Sequence, residues 1–270
     1  MTATVAPTPP LLRIFPTAGR RAARLFERNV YVYRSSKLIL ASGLAEPLFY
    51  LGSVGLGFGH LVGTVPLAGG QVPYTDFVAP ALLAASAMNG AIYDATFNVF
   101  FKIKYMKTYD AVLATPIRSF DIAIGEVAWC LTRGLIYALG FMAVMLAMGL
   151  VHSWWAVLAV PSATLVGLCF GGLGIAATSY MRSWQDFDFV QLAVLPMFLF
   201  SATFYPLSAY PQGAQVVVQL TPLYHGVVLL RSLTLGDVGL ATLGHVTYLA
   251  VMGCIGVAIA TRRLERRLLP

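Results

Sequence analysis

Apolar residues fall along this chain in long blocks, not in the two-residue alternation of a strand. A helix crossing a membrane needs about 20 mostly apolar residues. Six blocks meet that need: Leu38–Gly59, Phe77–Phe101, Ile122–Leu150, Trp154–Tyr180, Phe189–Tyr205 and Ala241–Ala260. A further apolar block, Gln212–Leu233, is interrupted by Pro222 and preceded by Pro206 and Pro211. Its pieces of about ten residues each reach roughly half a bilayer at 1.5 Å per residue. They predict two outer half-helices that dip in and return, a broken backbone tolerable only where protein or water covers it. The pattern therefore predicts an all-α, polytopic membrane protein with six transmembrane helices and re-entrant half-helices before the last.

Polar ends complete the layout. Residues 1–19, with Pro7, Pro9 and Pro10, read as a disordered tail. Residues 20–37 read as an amphipathic interface helix. At 100° per residue, Arg20, Arg24 and Arg28 share about 80° of arc, and Ala22, Phe26, Val30 and Tyr33 share another. Such a helix lies in the interface with its arginines toward anionic head groups. The six-span domain covers residues 38–262, and residues 263–270 form a basic tail. The first apolar block begins only near Leu38 and is span-length, unlike a cleaved signal peptide.

Composition changes this picture little. Hydrophobic residues make up 58% and charged residues 11%, and mean hydropathy is +0.76. Both values exclude a disordered or collagen-like chain and disfavour a soluble fold. The net charge of +7 matters through its placement. Sixteen of the 18 Lys and Arg fall in the N-terminal 37 residues, the loop after the second span, the loop after the fourth, or the C-terminal tail. The two others are Arg133, within the third span, and Arg231, in the outer segment before the last. The excess of positive loops puts both termini in the cytoplasm. It argues for a membrane interface and not for nucleic acid.

Several chemistries have no residues to carry them. No G-x-x-x-x-G-K-[ST] occurs, so the chain has no P-loop of its own. There is no H-E-x-x-H, no G-x-S-x-G and no CxxC; Cys130, Cys169 and Cys254 read as small buried residues. His60, His152, His225 and His245 lie near outer ends of spans and read as too scattered for a metal set. No catalytic and no metal-ligating residue is expected.

The informative loop runs from Lys102 to Ile122, KIKYMKTYDAVLATPIRSFDI. Thr108 or Asp110 can cap a short helix through Ala114, and Pro116 ends it. Ser119 or Asp121 can cap the third span. A short helix across the membrane face, tied to two spans, is a lever through which a soluble partner can push.

Within the spans, Glu46, Asp94, Glu126 and Arg133 are costly unless paired or wetted. Arg133 lies roughly 16 Å into its span, Glu46 roughly 12 Å and Asp94 roughly 10 Å at the helical rise, all from the cytoplasmic side. Arg133 is therefore expected to pair with Glu46 or Asp94, as a gate or as a strut. On the second span Tyr93, Phe97 and Phe101 recur at four-residue spacing, beside a polar stripe of Asp94 and Asn98. Such a face suits an amphiphilic cargo or plain helix packing, and Phe204 and Tyr205 raise the same pair of readings. Glycines in the first and fourth spans predict close helix approach.

The segments EPLFYLGSVGLGFG (Glu46 to Gly59), DFVAPALLAASAMNGAIYDATFNVFFKIKYMKTYDAVLATPI (Asp76 to Ile117), LPMFLFSATFYPLSAYP (Leu195 to Pro211) and TPLYHGVVLLRSLTLG (Thr221 to Gly236) resemble type-2 ABC exporter permeases. The similarity is greatest to the branch that exports lipo-oligosaccharides such as nodulation factors, and it covers nearly the whole chain from about residue 20. The resemblance implies a homodimer, or a dimer with a similar chain, together with two separate ABC ATPase subunits in the bacterial cytoplasmic membrane. ATP and Mg would sit on those ATPases, and this chain would bind no cofactor. The coupling stretch would be Thr108, Tyr109, Asp110, Ala111, Val112, Leu113, Ala114 and Thr115. Drug or lipid efflux permeases share this plan. An ion-coupled secondary transporter with Asp94 or Glu46 as proton site is the rival from another class.

Overall fold

The computed structural model describes residues 17–34, 49–67 and 70–268. The chain is mainly helical. Helix α1 spans Thr17–Arg34. A second helix, α2, occupies residues 49–62, with a π-helical stretch at Val54–Phe58. The first half of the first predicted span, including Glu46, lies outside the described residues.

A short antiparallel hairpin follows, β1 (Thr64–Leu67) against β2 (Gly70–Pro73), with Val65 opposite Val72. It departs from the all-α expectation. Thr64, Val65 and Val72 suit a pleated pair, and Val65 gains burial under the helix that follows. That helix, α3, runs over residues 74–104 and passes through a π-helical stretch at Asp94–Asn98. The lever helix α4 spans Thr108–Leu113. Helix α5 covers Ser119–Ala147, and α6 covers Trp154–Thr178 with a 3₁₀ first turn. Then come α7 (Phe187–Phe200), α8 (Gln212–Gln219), α9 (Pro222–Leu235) and α10 (Leu240–Leu268).

Among the described residues α5, α6 and α10 are each long and apolar enough to cross a membrane. Helices α8 and α9 together meet the same test but bend by 86° at their junction. Thr221–Pro222 explains the break, because proline restricts the residue before it and starts a helix well. Helix α7 is shorter than the fifth predicted span. It ends at Phe200, and Ala202 takes a positive φ of 56°. The basic residues expected as a tail are instead the last turns of α10, which stays helical to Leu268.

The core has two layers. At the hairpin end Phe77, Leu82, Met88, Phe141, Phe170, Leu223 and Val227 interlock from α3, α5, α6 and α9. At the opposite end, which holds α1, α4 and the C-terminus, Leu25, Val99, Tyr109, Ile122, Ile175 and Leu264 meet. Helices α6 and α10 touch backbone to backbone: a Cβ on Gly256 would lie 2.7 Å from the Gly172 carbonyl carbon. Gly174 likewise admits Ala95 of the π-helical stretch, 2.8 Å from where its Cβ would sit. The fourth-span glycines thus make the close approach the sequence predicts. Gly52 and Gly57 of the first span do not, since nothing among the described residues lies within 4 Å of their Cβ positions.

Candidate functional site

The buried polar groups of the described residues gather mainly at the α1/α4 end. Lys102 of α3 is 4% exposed and Glu126 of α5 is 1% exposed. The Lys102 Nζ donates to both Glu126 oxygens at 2.8 Å and to Asn29 Oδ1 at 2.9 Å. Asn29 of α1 donates back to Glu126 Oε2 at 3.2 Å. A three-helix lock results, with both charges satisfied as burial demands. The charge count treats Lys102 as a free loop cation. It is instead buried and neutralised, because α3 continues to Lys104 and turns this side chain inward.

About two turns deeper, Asp94 is ion-paired with Arg133, one of the two pairings that depth allows. Cys130 Sγ donates to the other Asp94 oxygen at 3.3 Å, and Arg133 donates to the Tyr137 hydroxyl at 2.9 Å. The guanidinium also lies 5.1 Å from the Tyr33 ring centroid, a cation–π approach. Burial first, then the Asp94 carboxylate, push the Tyr33 phenol up to about 12. The π-helical stretch carries Asp94 at its start; such bulges disturb the regular helix ladder and recur at functional positions. Asn98 is half-buried, and its amide nitrogen has no hydrogen-bond partner among the described residues.

Helix α1 therefore does more than lie on lipid. Its buried face is Ala22, Leu25 and Asn29, one step round from the predicted Ala22, Phe26, Val30 and Tyr33. Gly125 of α5 allows this docking, since a Cβ there would lie 2.9 Å from Leu25 Cβ. Val30 stays exposed, while Phe26 and Tyr33 meet Trp129 at 6.0 and 4.9 Å between centroids.

The lever helix has two sides. Tyr109 is 0% exposed and sits in the junction of α1, α3, α5, α6 and α10. Burial, then the Glu126 charge, push its phenol well above the usual tyrosine range. Val112 and Leu113 are half-buried and pack on the same junction, and Thr108 is half-buried. Asp110, Ala111, Ala114 and Thr115 are exposed. Lys107 begins the helix at a positive φ of 46°, so neither Thr108 nor Asp110 caps it. Asp121 does cap α5, accepting from the Arg118 amide at 3.0 Å.

The aromatic stripe of α3 meets residues the sequence reading passed over. Phe97 stacks on Phe187 at 4.2 Å, Phe101 meets Trp184 at 5.5 Å, and Tyr93 accepts from Gln191 Nε2 at 3.0 Å. Phe204 and Tyr205 stand apart from that stripe, packing on Phe198 and Tyr210.

Two outer-segment expectations change. Arg231 is no loop charge. It is buried in α9, donating from Nε to Phe77 O at 3.0 Å and from a terminal nitrogen to Ala202 O at 2.9 Å. The unwinding after Phe200 frees that second carbonyl. His225 and His245 are not scattered, since their Nδ1 atoms lie 2.7 Å apart. Among the described residues no group of three or more metal-ligating side chains occurs.

The sequence of this chain matches the ABC-2 type transporter family model over residues 23–235. The chain belongs to the ABC-2 type transporter family. Its relatives include proteins named Nodulation protein J. The Rhizobium leguminosarum bv. trifolii protein is 34% identical over 248 residues, 91% of this chain and 93% of that one. The Rhizobium meliloti protein is 31% identical, covering 94% and 97%. The Bradyrhizobium diazoefficiens protein is 29% identical, covering 95% and 97%. As an ABC-2 membrane component the chain is a multi-pass transport subunit, and the family implies an ABC ATPase partner.

Proposed function

We propose that this ABC-2 permease exports a lipo-oligosaccharide or a similar amphiphilic saccharide across the bacterial cytoplasmic membrane. Two copies would form the pathway, with both termini inside and six spans each. Two ATPase subunits, holding ATP and Mg, would drive them. The observation that carries this reading is α4. A short helix with one exposed face and Tyr109 driven into the meeting point of five helices can deliver an external push to the whole bundle. Tyr109 then serves as anchor, and Asp110, Ala111, Ala114 and Thr115 offer the contact face.

The similarity to nodulation proteins across nearly the full chain supports the saccharide cargo. The part-exposed aromatics Tyr93, Phe97 and Phe101, joined by Trp184, offer rings on which sugars stack and along which acyl chains slide. The Asp94–Arg133 ion pair argues against Asp94 as a free proton carrier.

The test is co-expression with the ATPase encoded nearest to this gene. Ala111→Cys should cross-link to that subunit, and Val112→Pro should abolish lipo-oligosaccharide export while leaving membrane insertion intact. Export that persists without any ATPase, or a cross-link that never forms while export proceeds, would overturn the reading. Labelling a cysteine at Gln212 from outside and at Arg266 from inside tests the orientation.

A further inference from the structure

At the α1/α4 end, beyond the apolar run of α10 that closes at Ala260, four arginines surround a cavity of about 300 Å³: Arg182, Arg263, Arg266 and Arg267. Its remaining lining among the described residues is Ser179, Tyr180 and Met181, with no carboxylate. Arg267 has its own task. It donates to the carbonyls of Thr178 (3.3 Å), Ser179 (3.0 Å) and Met181 (2.9 Å), satisfying the orphan acceptors after α6. The other three make no ion pair among the described residues.

The Arg263 guanidinium carbon lies 3.8 Å from the Tyr180 ring centroid, and its Nε is buried without a hydrogen-bond partner among the described residues. The nearby acids are engaged or turned away. Asp186 accepts from the Arg182 and Ser183 amides at 2.6 and 3.1 Å. Glu265 lies about 200° around α10 from Arg263. Burial and the adjacent Arg263 charge hold the Arg267 guanidinium below its usual range. Such crowding of like charge is what a bound anion relieves.

A second feature indicates which anion. Tyr180, Met181 and Arg182 also form the mouth of a groove of about 700 Å³ running inward between α6 and α7. Its walls are mostly apolar, among them Phe170, Leu173, Val190, Val194 and Met197, and Asp186 also lines it, its carboxylate already held by the two backbone amides. A cationic cradle at head-group level that opens into an apolar groove has the shape of a phospholipid. We propose that cradle and groove bind one anionic glycerophospholipid of the surrounding leaflet. Its phosphate is held by Arg182, Arg263 and Arg266, and an acyl chain lies between α6 and α7.

Native mass spectrometry of the purified, delipidated full chain tests this, with phosphatidylglycerol, chain-matched phosphatidylcholine and inorganic phosphate as probes. One phosphatidylglycerol should be retained in preference to phosphatidylcholine. R263Q/R266Q should weaken that retention about 25-fold, roughly fivefold for each arginine removed. R182Q, on a different element, should weaken it about fivefold. R262Q, on an exposed position, should leave it unchanged. Melting temperatures of the variants establish that they fold.

Equal retention of both lipids would overturn the proposal. So would competition by millimolar phosphate without lipid preference, which would make this a small-anion site. Loss of ATPase co-purification in R263Q/R266Q with lipid retention intact would assign the arginines to a protein interface instead.

Discussion

Replacing Lys102 by methionine tests the polar lock most sharply. Methionine keeps the stem's volume and deletes three hydrogen bonds, at 2.8, 2.8 and 2.9 Å. Glu126, 1% exposed, would keep the Asn29 amide at 3.2 Å but lose its cation. Breaking a buried ion pair from one side costs about 3–5 kcal/mol. Proton uptake limits that figure. Holding a carboxylic acid neutral at pH 7 costs about 3.7 kcal/mol, from about 1.36 kcal/mol for each pH unit above the ordinary glutamate range. The two routes agree near 4 kcal/mol, which for a chain this size lowers the melting temperature by roughly 10 °C. Thermal unfolding in detergent, followed by size-exclusion, measures it. Lys102→Met with Glu126→Leu should recover most of the loss, because an apolar pair of similar volume replaces the ions. A single variant melting within about 2 °C of wild type would refute the reasoning. So would a double variant no more stable than the single.

Three further outcomes follow from the same structure. Arg133→Gln strands Asp94 beside the Cys130 thiol and should cost about 3–5 kcal/mol; adding Asp94→Asn should restore melting, and export in that double variant separates a strut from a gate. Gly256→Ala places a methyl 2.7 Å from α6 backbone that cannot move aside, so a loss of about 1–3 kcal/mol is expected. Gly244→Ala, with nothing within 4 Å, should be neutral or stabilising by up to about 1 kcal/mol; comparable melting of the two would contradict the packing. Asp186 has its carboxyl held below the usual range by the Arg182 and Ser183 amides. Its contribution is therefore present above the ordinary carboxylate range and lost as pH falls through the lower folded value. Hydrogen exchange at the Ser183 amide, corrected for intrinsic rates, should show protection constant above pH about 5 and falling only below about 4; protection that rises on acidification would contradict the cap.

Sequence alone determined what depends on local pattern. Block length and polarity indicated apolar helices and a membrane; Pro222 indicated the break between α8 and α9; the Thr108–Pro116 spacing indicated a short lever. Helical rise placed Arg133, Glu46 and Asp94 in the same half of the membrane, and the cost of an unpaired ion in lipid made a pairing of Arg133 with one of those two carboxylates the expected solution; the structure supplies Asp94. Tertiary structure alone decided which side chains turn inward. Lys102 reads as one more loop cation until α3 continues and brings its ammonium to Glu126 and Asn29, residues 24 and 73 positions away. Arg231 reads as an outer charge until the chain unwinds after Phe200 and offers it a carbonyl. His225 and His245 are 20 residues apart and meet only because α9 packs against α10. The α1 stripe is shifted because Gly125, far along the chain, opens a berth for Leu25. In each case the partner comes from another helix. Periodicity reports the face a helix shows and its depth, but a buried charge is settled by the one distant atom within hydrogen-bond reach.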